Sequence, residues 1–360
     1  MVNKLDNVIG LSLMASLRRG GWEATLRIGA DGDALADWQI VEIWLRQLWA
    51  DPDAAWHDEG WKRIMKGYAL PKEIRRDWKR GDFDVVTATS HRMLRNMECQ
   101  YIAFLEDATP AHNHELVDLT LGYMIQHVLD SHTNIIYDAA TNPEGWATYS
   151  GINLTVGGEF DWFGLGRERG LIRIWPTLAA FAKGYGLITY FNKFDDFFWG
   201  PHPMFDSPLP GSVVTLTTDF WDTIKIRWLG QEKRVRQAHI TADQDDGTTL
   251  IGTYPDLSAP PDTNWYYGND IFGRIRCNEQ AELNDVAERI QRFANRDYDV
   301  EIETWGLWDF ELADRVRITY VNTADDIDWT TKSFYVESIK ITFDLKNNRI
   351  KTKLRLNEGV

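Results

Sequence analysis

The chain has 360 residues, 44% of them hydrophobic and 26% charged, with a net charge of −15. That composition belongs to a globular chain long enough for two or more domains, with no low-complexity tract to favour disorder. A surface this acidic repels nucleic-acid phosphate and anionic lipid, which argues against ordinary DNA binding and against membrane binding.

Seventeen Trp residues make a heavy load. Trp buries a large area while its N–H still needs a partner, so it collects in cores, interfaces and sugar platforms. Trp22, Trp44 and Trp228 fall inside strand patterns, which favours packing and interfaces. Cys99 and Cys277 lack metal-type spacing and read as buried thiols in a reducing compartment. Met1 to Asp6 shows no charged n-region ahead of an apolar run, and no stretch is apolar enough to span a bilayer. A soluble protein made inside the cell is expected.

The first region is β-rich. Leu11 and Leu13 alternate with serines, Gly20-Gly21 supplies a turn, and Trp22, Ala24, Leu26 and Ile28 share one face against Glu23, Thr25 and Arg27. That period of two predicts a half-buried hairpin. Ile40 to Leu45 predicts the next strand, and Ala50 to Arg80 reads as an elaborated loop with a helical turn or two.

A more helical middle region follows. Asn113 is a plausible N-cap for a helix carrying Leu116, Val117, Thr120, Met124 and Val128. Pro176 suits the first turn of a short helix, Thr177 to Lys183, stopping at Gly184. Leu187 to Phe191 and Phe197 to Trp199 predict a hairpin, and Pro201 and Pro203, which cannot donate to a central ladder, mark a boundary.

Strands then return. Ile224, Ile226 and Trp228 alternate with Lys225 and Arg227, and a turn near Gly230 leads to a strand through Ile240. This second hairpin resembles the one at Gly20 in size and pattern, which hints at two related barrels. Tyr254 to Gly268, with three prolines, reads as an exposed loop, and Gln280 to Asn295 as an amphipathic helix carrying Leu283, Val286, Ala287, Ile290 and Phe293. A meander closes the chain. Val316, Ile318 and Tyr320 oppose Arg315, Arg317 and Thr319, and strands follow at Phe334 to Asp344 and Arg349 to Leu356. Between Val336 and Ile339 the alternation slips by one residue, as a β-bulge requires. Asn347-Asn348 suits a two-residue hairpin turn.

Sites of chemistry are thin. His112, His114 and Glu115 carry metal-ligand side chains, but the pair sits at a helix start, and His127 and His132 lie far along it. Asp195-Asp196 and Asp243 to Asp246 are paired carboxylates at turns; the second run mimics a calcium loop, yet its twelfth position is Tyr254. Gly157-Gly158 and Gly164-x-Gly166 lack phosphate-cradle context, and neither a Gly-x-Ser-x-Gly elbow nor His-Glu-x-x-His is present. The expectation is no catalytic residue, no cofactor and no metal. From Ser333 onward six Lys or Arg stand against three acids, a local +3 that leaves −18 for the rest. Lys351, Lys353 and Arg355 are therefore a candidate subunit-docking edge, with a solvated strand face as the plain alternative.

Four stretches resemble the hub proteins of tailed-phage baseplates and tail tips, with their relatives in contractile injection systems and siphophage tail-associated proteins. Ser12 to Ile28 looks like the family's opening hairpin, and Leu116 to Asp130 like the helix leading toward its second domain. Trp175 to Phe198, ending in Pro201-His-Pro203, is similar to its helix followed by a hairpin. Leu312-Ala-Asp-Arg-Val-Arg-Ile with Phe334 to Asp344 looks like its Leu-x-x-Gly-Asp-x-Val strand and final meander, with Ala313 where Gly is usual.

The resemblance implies an α+β, β-rich fold of two small tube-forming β-barrel domains around an inserted helix-containing α/β region. The boundaries would be a first barrel at 1–105 with an elaborated 50–80 loop, a middle domain at 106–205, and a second barrel at 206–360 carrying the 280–295 helix. It also implies a homotrimer in the virion, with a tail tube or distal tail protein, a tape measure protein and a central spike or fibre as partners. DNA would pass through an acidic lumen in transit only. The competing expectation is a carbohydrate-binding or glycan-cleaving protein that uses Trp platforms and paired carboxylates.

Overall fold

Alternating apolar residues fold the two ends of the chain into one sheet. A computed structural model describes residues 8–29, 35–37, 39–46, 61–77, 81–90, 101–103, 119–120, 153–154, 171–173, 184–202, 214–228, 237–244, 247–255, 265–267, 275–277, 279–295, 298–306, 310–344 and 349–359. The first part holds β1 (Val8–Ser16), β2 (Gly21–Gly29), β3 (Ile40–Arg46), β4 (Trp61–Ala69), β5 (Glu73–Asp77) and β6 (Gly81–Thr89). Short strands follow: β7 (Tyr101–Ala103), β8 (Leu119–Thr120), β9 (Asn153–Leu154) and β10 (Leu171–Arg173), then the hairpin β11 (Leu187–Phe191) and β12 (Phe197–Pro201). The last part holds β13 (Val214–Leu216), β14 (Trp221–Trp228), β15 (Gln237–Asp243), β16 (Thr249–Tyr254), β17 (Trp265–Tyr267), β18 (Ile275–Arg276) and helix α1 (Gln280–Ala294). After it come β19 (Tyr298–Trp305), β20 (Arg315–Ile318), β21 (Val321–Asn322), β22 (Ile327–Asp328), β23 (Ser333–Asp344) and β24 (Arg349–Glu358).

The main sheet runs β14-β19-β24-β23-β1-β2-β6-β4-β3, with β5 on β6, β20 on β23 and β13 parallel to β20. Its inner face is one apolar cluster fed from both ends of the chain, including Leu13, Trp22, Leu26, Val300, Ile302, Leu354 and Leu356. The β-rich class holds; the closed small barrels do not. Among the described residues no pairing joins β14 to β23 or β1 to β4, because the edge that would close each barrel is used elsewhere: β23 pairs with β1 from Ser12↔Thr342 to Ser16↔Ser338.

Two halves of this sheet repeat one topology. In chain order the strands β1, β2, β4–β5 and β6 lie first-second-fourth-third in space, and so do β14, β19, β23 and β24. The registers agree as well. Ala69↔Ala88 to Asp77↔Gly81 sets eight steps of the third strand against seven of the fourth, and Val336↔Leu356 to Asp344↔Arg349 does the same. Each third strand thus carries one extra residue. In β23 it is Glu337, the bulge that the slipped alternation predicts. An added strand also recurs: β3 meets β4 at Tyr68, Gly67 and Lys66, as β20 meets β23 at Tyr335, Phe334 and Ser333.

Several sequence expectations change. The 50–80 segment is not a helical loop in its described part: it contributes β4 and β5. A bulge against β3, where Met65 and Arg63 face Ile43 and Trp44, makes Ile64 and Met65 consecutive buried residues and erases the period of two. Among the described residues the strands on either side of Gly230 do not pair with each other: β14 pairs with β19, while β15 pairs with β16, β17 and β18. Cross-strand charge favours that choice, with Lys225 opposite Glu301 and Arg227 opposite Asp299. The exposed loop after Tyr254 contains β17. Within the helix expected from Asn113, Leu119–Thr120 is instead extended against Asn153–Leu154, and the rest lies outside the described residues, as do Thr177 to Lys183 and the Asn347-Asn348 turn.

The hairpin β11–β12 and helix α1 follow expectation. Leu283, Val286 and Ala287 bury one helical stripe, which packs on β15 and β16. Gly252 on β16 lets the helix approach: a Cβ there would stand 2.4 Å from the Leu283 carbonyl oxygen.

Candidate assembly surfaces

Strand β24 alternates strictly. Thr352, Leu354 and Leu356 are fully buried, so Lys351, Lys353 and Arg355 share the outer face. There they are matched within the chain. Lys351 pairs with Glu303 and lies 3.8 Å from Asp222. Lys353 meets Glu301 at 2.7 Å, and Glu301 also takes Lys225 at 3.3 Å. Arg355 reaches Asp299 at 3.3 Å and Glu337 at 3.0 Å, and Arg18 binds the same Glu337 at 2.7 Å. Burial alone would raise the Glu301 carboxyl, but the bonds from Lys353 and Lys225 outweigh it and hold the group below its usual value. The basic edge read from composition is therefore half of a charge ladder. Its acids lie on β19, about fifty residues earlier, beyond the reach of local counting.

Glu311 ties three parts of the chain together. Its carboxylate accepts the Trp22 indole N–H at 3.0 Å from β2, the Lys193 backbone N–H at 2.7 Å from the β11–β12 turn, and the Leu312 N–H at 2.8 Å. Lys193 then passes its carbonyl to the Lys66 N–H of β4 at 2.9 Å. Burial pushes the Glu311 carboxyl up to about 7, although all three donors and the Lys193 charge favour its ionised form. The same pocket lifts the Tyr190 hydroxyl well above its usual value, through burial first and then Glu311 and Asp314. No motif announces Glu311; acids alternating with Trp308, Phe310 and Leu312 are the one available hint, and they do not single it out.

The sheet has open edges. Among the described residues β14 pairs only with β19, and β5 only with β6. Both edges display apolar residues: Ile74 is 56% exposed and Trp228 59%. On β3, exposed Trp44 and, from the β11–β12 turn, Phe194 flank the Arg63 guanidinium at 5.7 and 4.6 Å. Trp22 and Trp329, by contrast, are 1% exposed, and Trp329 packs among Tyr298, Tyr320 and Phe334.

Asp195 and Asp196 lie in the β11–β12 turn. Asp195 sits at φ 68°, and the Asn192 side chain accepts the N–H groups of Phe194 and Asp196. Asp243 ends β15, and the Gln244 N–H that follows bonds to the Thr248 carbonyl, while Asp245 and Asp246 lie outside the described residues. Among the described residues no group of three or more His, Cys, Asp or Glu is placed to hold a metal. His112, His114, Glu115, His127, His132, Cys99 and the glycines from 157 to 166 lie outside them. Cys277 is a buried free thiol.

In its fold the chain is similar to phage tail proteins of known structure. The tail protein from Neisseria meningitidis MC58 superposes with a TM-score of 0.57 at 14% identity, covering 98% of this chain and 92% of that one. The 43 kDa tail protein of prophage MuSo2 from Shewanella oneidensis gives 0.55 at 13% identity, with 98% and 96% covered. A component of the Escherichia coli type VI secretion system, described as structurally similar to T4 bacteriophage tail proteins gp27 and gp5, gives 0.53 at 9% identity, with 98% and 76% covered. No family model matches the chain, and no curated protein does.

Proposed function

We propose that the chain is the structural, non-catalytic hub of a phage tail tip or baseplate. Three copies form a ring around the DNA channel that joins the tail tube to a central spike or fibre. The observation that carries this reading is the doubled unit. Two equivalent five-strand units per chain, joined edge to edge through β1 and β23, give six sheet units from three chains. Six units match a hexameric tube on one face, while the parts of the chain that do not repeat leave the other face threefold.

The tail-protein fold supports a place in the virion, with a tail tube or distal tail protein, a tape measure protein and a spike or fibre as neighbours. The net charge of −15 suits a channel that DNA crosses without sticking. Lys351, Lys353 and Arg355 keep a place on the subunit surface as a charge-balanced ladder. The test is the mass of the purified protein in solution and within tail particles. The expected result is three times the chain mass, and a stable monomer that hydrolyses a polysaccharide would sink the reading.

A further inference from the structure

We infer that β5 of one copy pairs antiparallel with β14 of a second copy, with Ile74 opposite Ile226 and Glu73 opposite Arg227. This deepens the hub reading and rests on it: it names the strands through which the ring closes.

The register follows from the repeat. The two third strands align Ala69 with Val336, hence Glu73 with Lys340 and Ile74 with Ile341. The fourth strands align Ala88 with Leu356, which sets Ala24 on Val300 through the second strands. Carried to the first strands, this places Leu13 on Ile226 and Met14 on Arg227. Inside the chain the seam between units pairs Leu13 with Ile341 and Met14 with Lys340. Repeating that seam across chains puts Ile226 against Ile74 and Arg227 against Glu73.

Burial points the same way. Ile74 shares the core-facing side with Ile28, since both stand opposite Asp84. Its counterpart Ile341 is 2% exposed beneath β1, while Ile74 is 56% exposed at an edge that nothing among the described residues covers. Ile226 is only half-buried where its counterpart Leu13 is fully buried. Each edge therefore holds an apolar core-side residue that lacks the strand its twin has. The charges are complementary too: the seam sets Met14 against Lys340, whereas the edges set Arg227 against Glu73, an opposite pair. Lys225 falls opposite Arg75 and already has its charge met by Glu301 at 3.3 Å.

Two measurements test this. On a Cys99→Ser, Cys277→Ser background, Ile74→Cys and Ile226→Cys proteins are mixed and oxidised. The expected product is a disulfide-linked heterodimer, absent when the partner cysteine is placed at exposed Val321 instead. Independently, Glu73→Arg and Arg227→Glu are each expected to weaken assembly on the order of tenfold by sedimentation, with the double charge swap recovering most of the loss. Both residues lie on exposed edges, so circular dichroism should show the subunit still folded. A wild-type trimer that neither cross-links nor responds to either charge change overturns this pairing and leaves the hub reading standing. A wild-type protein that stays monomeric in solution and on tail tubes overturns both.

Discussion

Replacing Glu311 by Gln should flatten part of the pH dependence of stability. In the folded chain this carboxyl holds its proton up to about 7, whereas an unfolded Glu releases it near 4.5. Between those values the unfolded state has lost a proton that the folded state keeps, so stability falls as pH rises. The slope is about 1.4 kcal/mol per pH unit, and across the window the loss approaches 3 kcal/mol, a ceiling because the residue as a whole is only half-buried. Above pH 7 both states are ionised and the loss levels off. Below pH 4.5 both are protonated and the residue contributes no slope. Gln cannot ionise, and its carbonyl still accepts from Trp22 and Leu312, but its amide would face the Lys193 N–H, a mismatch costing about 1–2 kcal/mol at every pH. Urea unfolding followed by Trp fluorescence at pH 5, 6, 7 and 8 gives the comparison. The variant should be the weaker protein at pH 5 and should draw level with or pass the wild type at pH 8. Parallel stability profiles would show that the three N–H donors keep Glu311 ionised throughout, and the burial argument would fail.

Three further outcomes are expected. Ala313 sits at φ 66°, a left-handed conformation that favours Gly, so Ala313→Gly should raise stability by up to about 1 kcal/mol in thermal unfolding; a drop would mean its buried methyl outweighs the strain. Gly252→Ala drives a Cβ into the Leu283 carbonyl and should cost about 2–4 kcal/mol, with faster amide exchange along α1 as the local readout. Reversing Lys351, Lys353 and Arg355 together to Glu sets like charges against Glu303, Glu301 and Asp299. That should destabilise the isolated subunit by about 1–3 kcal/mol, less at high salt, and an unchanged melting curve would mean the ladder is ornamental.

What could be read from the chain were features written in neighbouring residues. The Glu337 bulge shows as a one-residue slip, α1 as a stripe at helical spacing, and the β11–β12 turn as Asp195-Asp196 between two aromatic strands. Pairings across long separations were illegible, because alternation says that a strand has two faces and not which strand lies beside it. Ile224 to Trp228 looked like half of a local hairpin and found β19, more than seventy residues on, where the acids that match its cations stand. The same blindness made Lys351, Lys353 and Arg355 look like surplus charge. Bulges hid β4, since Ile64 and Met65 are both buried and no period of two survives. The Glu311 junction depends on a single acid whose donors come from three separate stretches, a pattern with no spacing to detect.

The seam between β1 and β23 also has a consequence for how the subunit is made. Ser12 to Ser16 emerge from the ribosome long before Ser338 to Thr342, the residues that complete their sheet. For most of synthesis β1 is therefore an uncovered strand on a half-finished sheet, and the contact that protects it spans almost the whole chain. Such long-range pairing forms slowly and leaves sticky edges open meanwhile. A nascent chain with a free β1 exposes an unpaired strand edge, as β14 does in the finished fold, and such edges invite mismatched pairing. The late arrival of β23 acts as a timer, withholding the completed sheet until that strand has been translated.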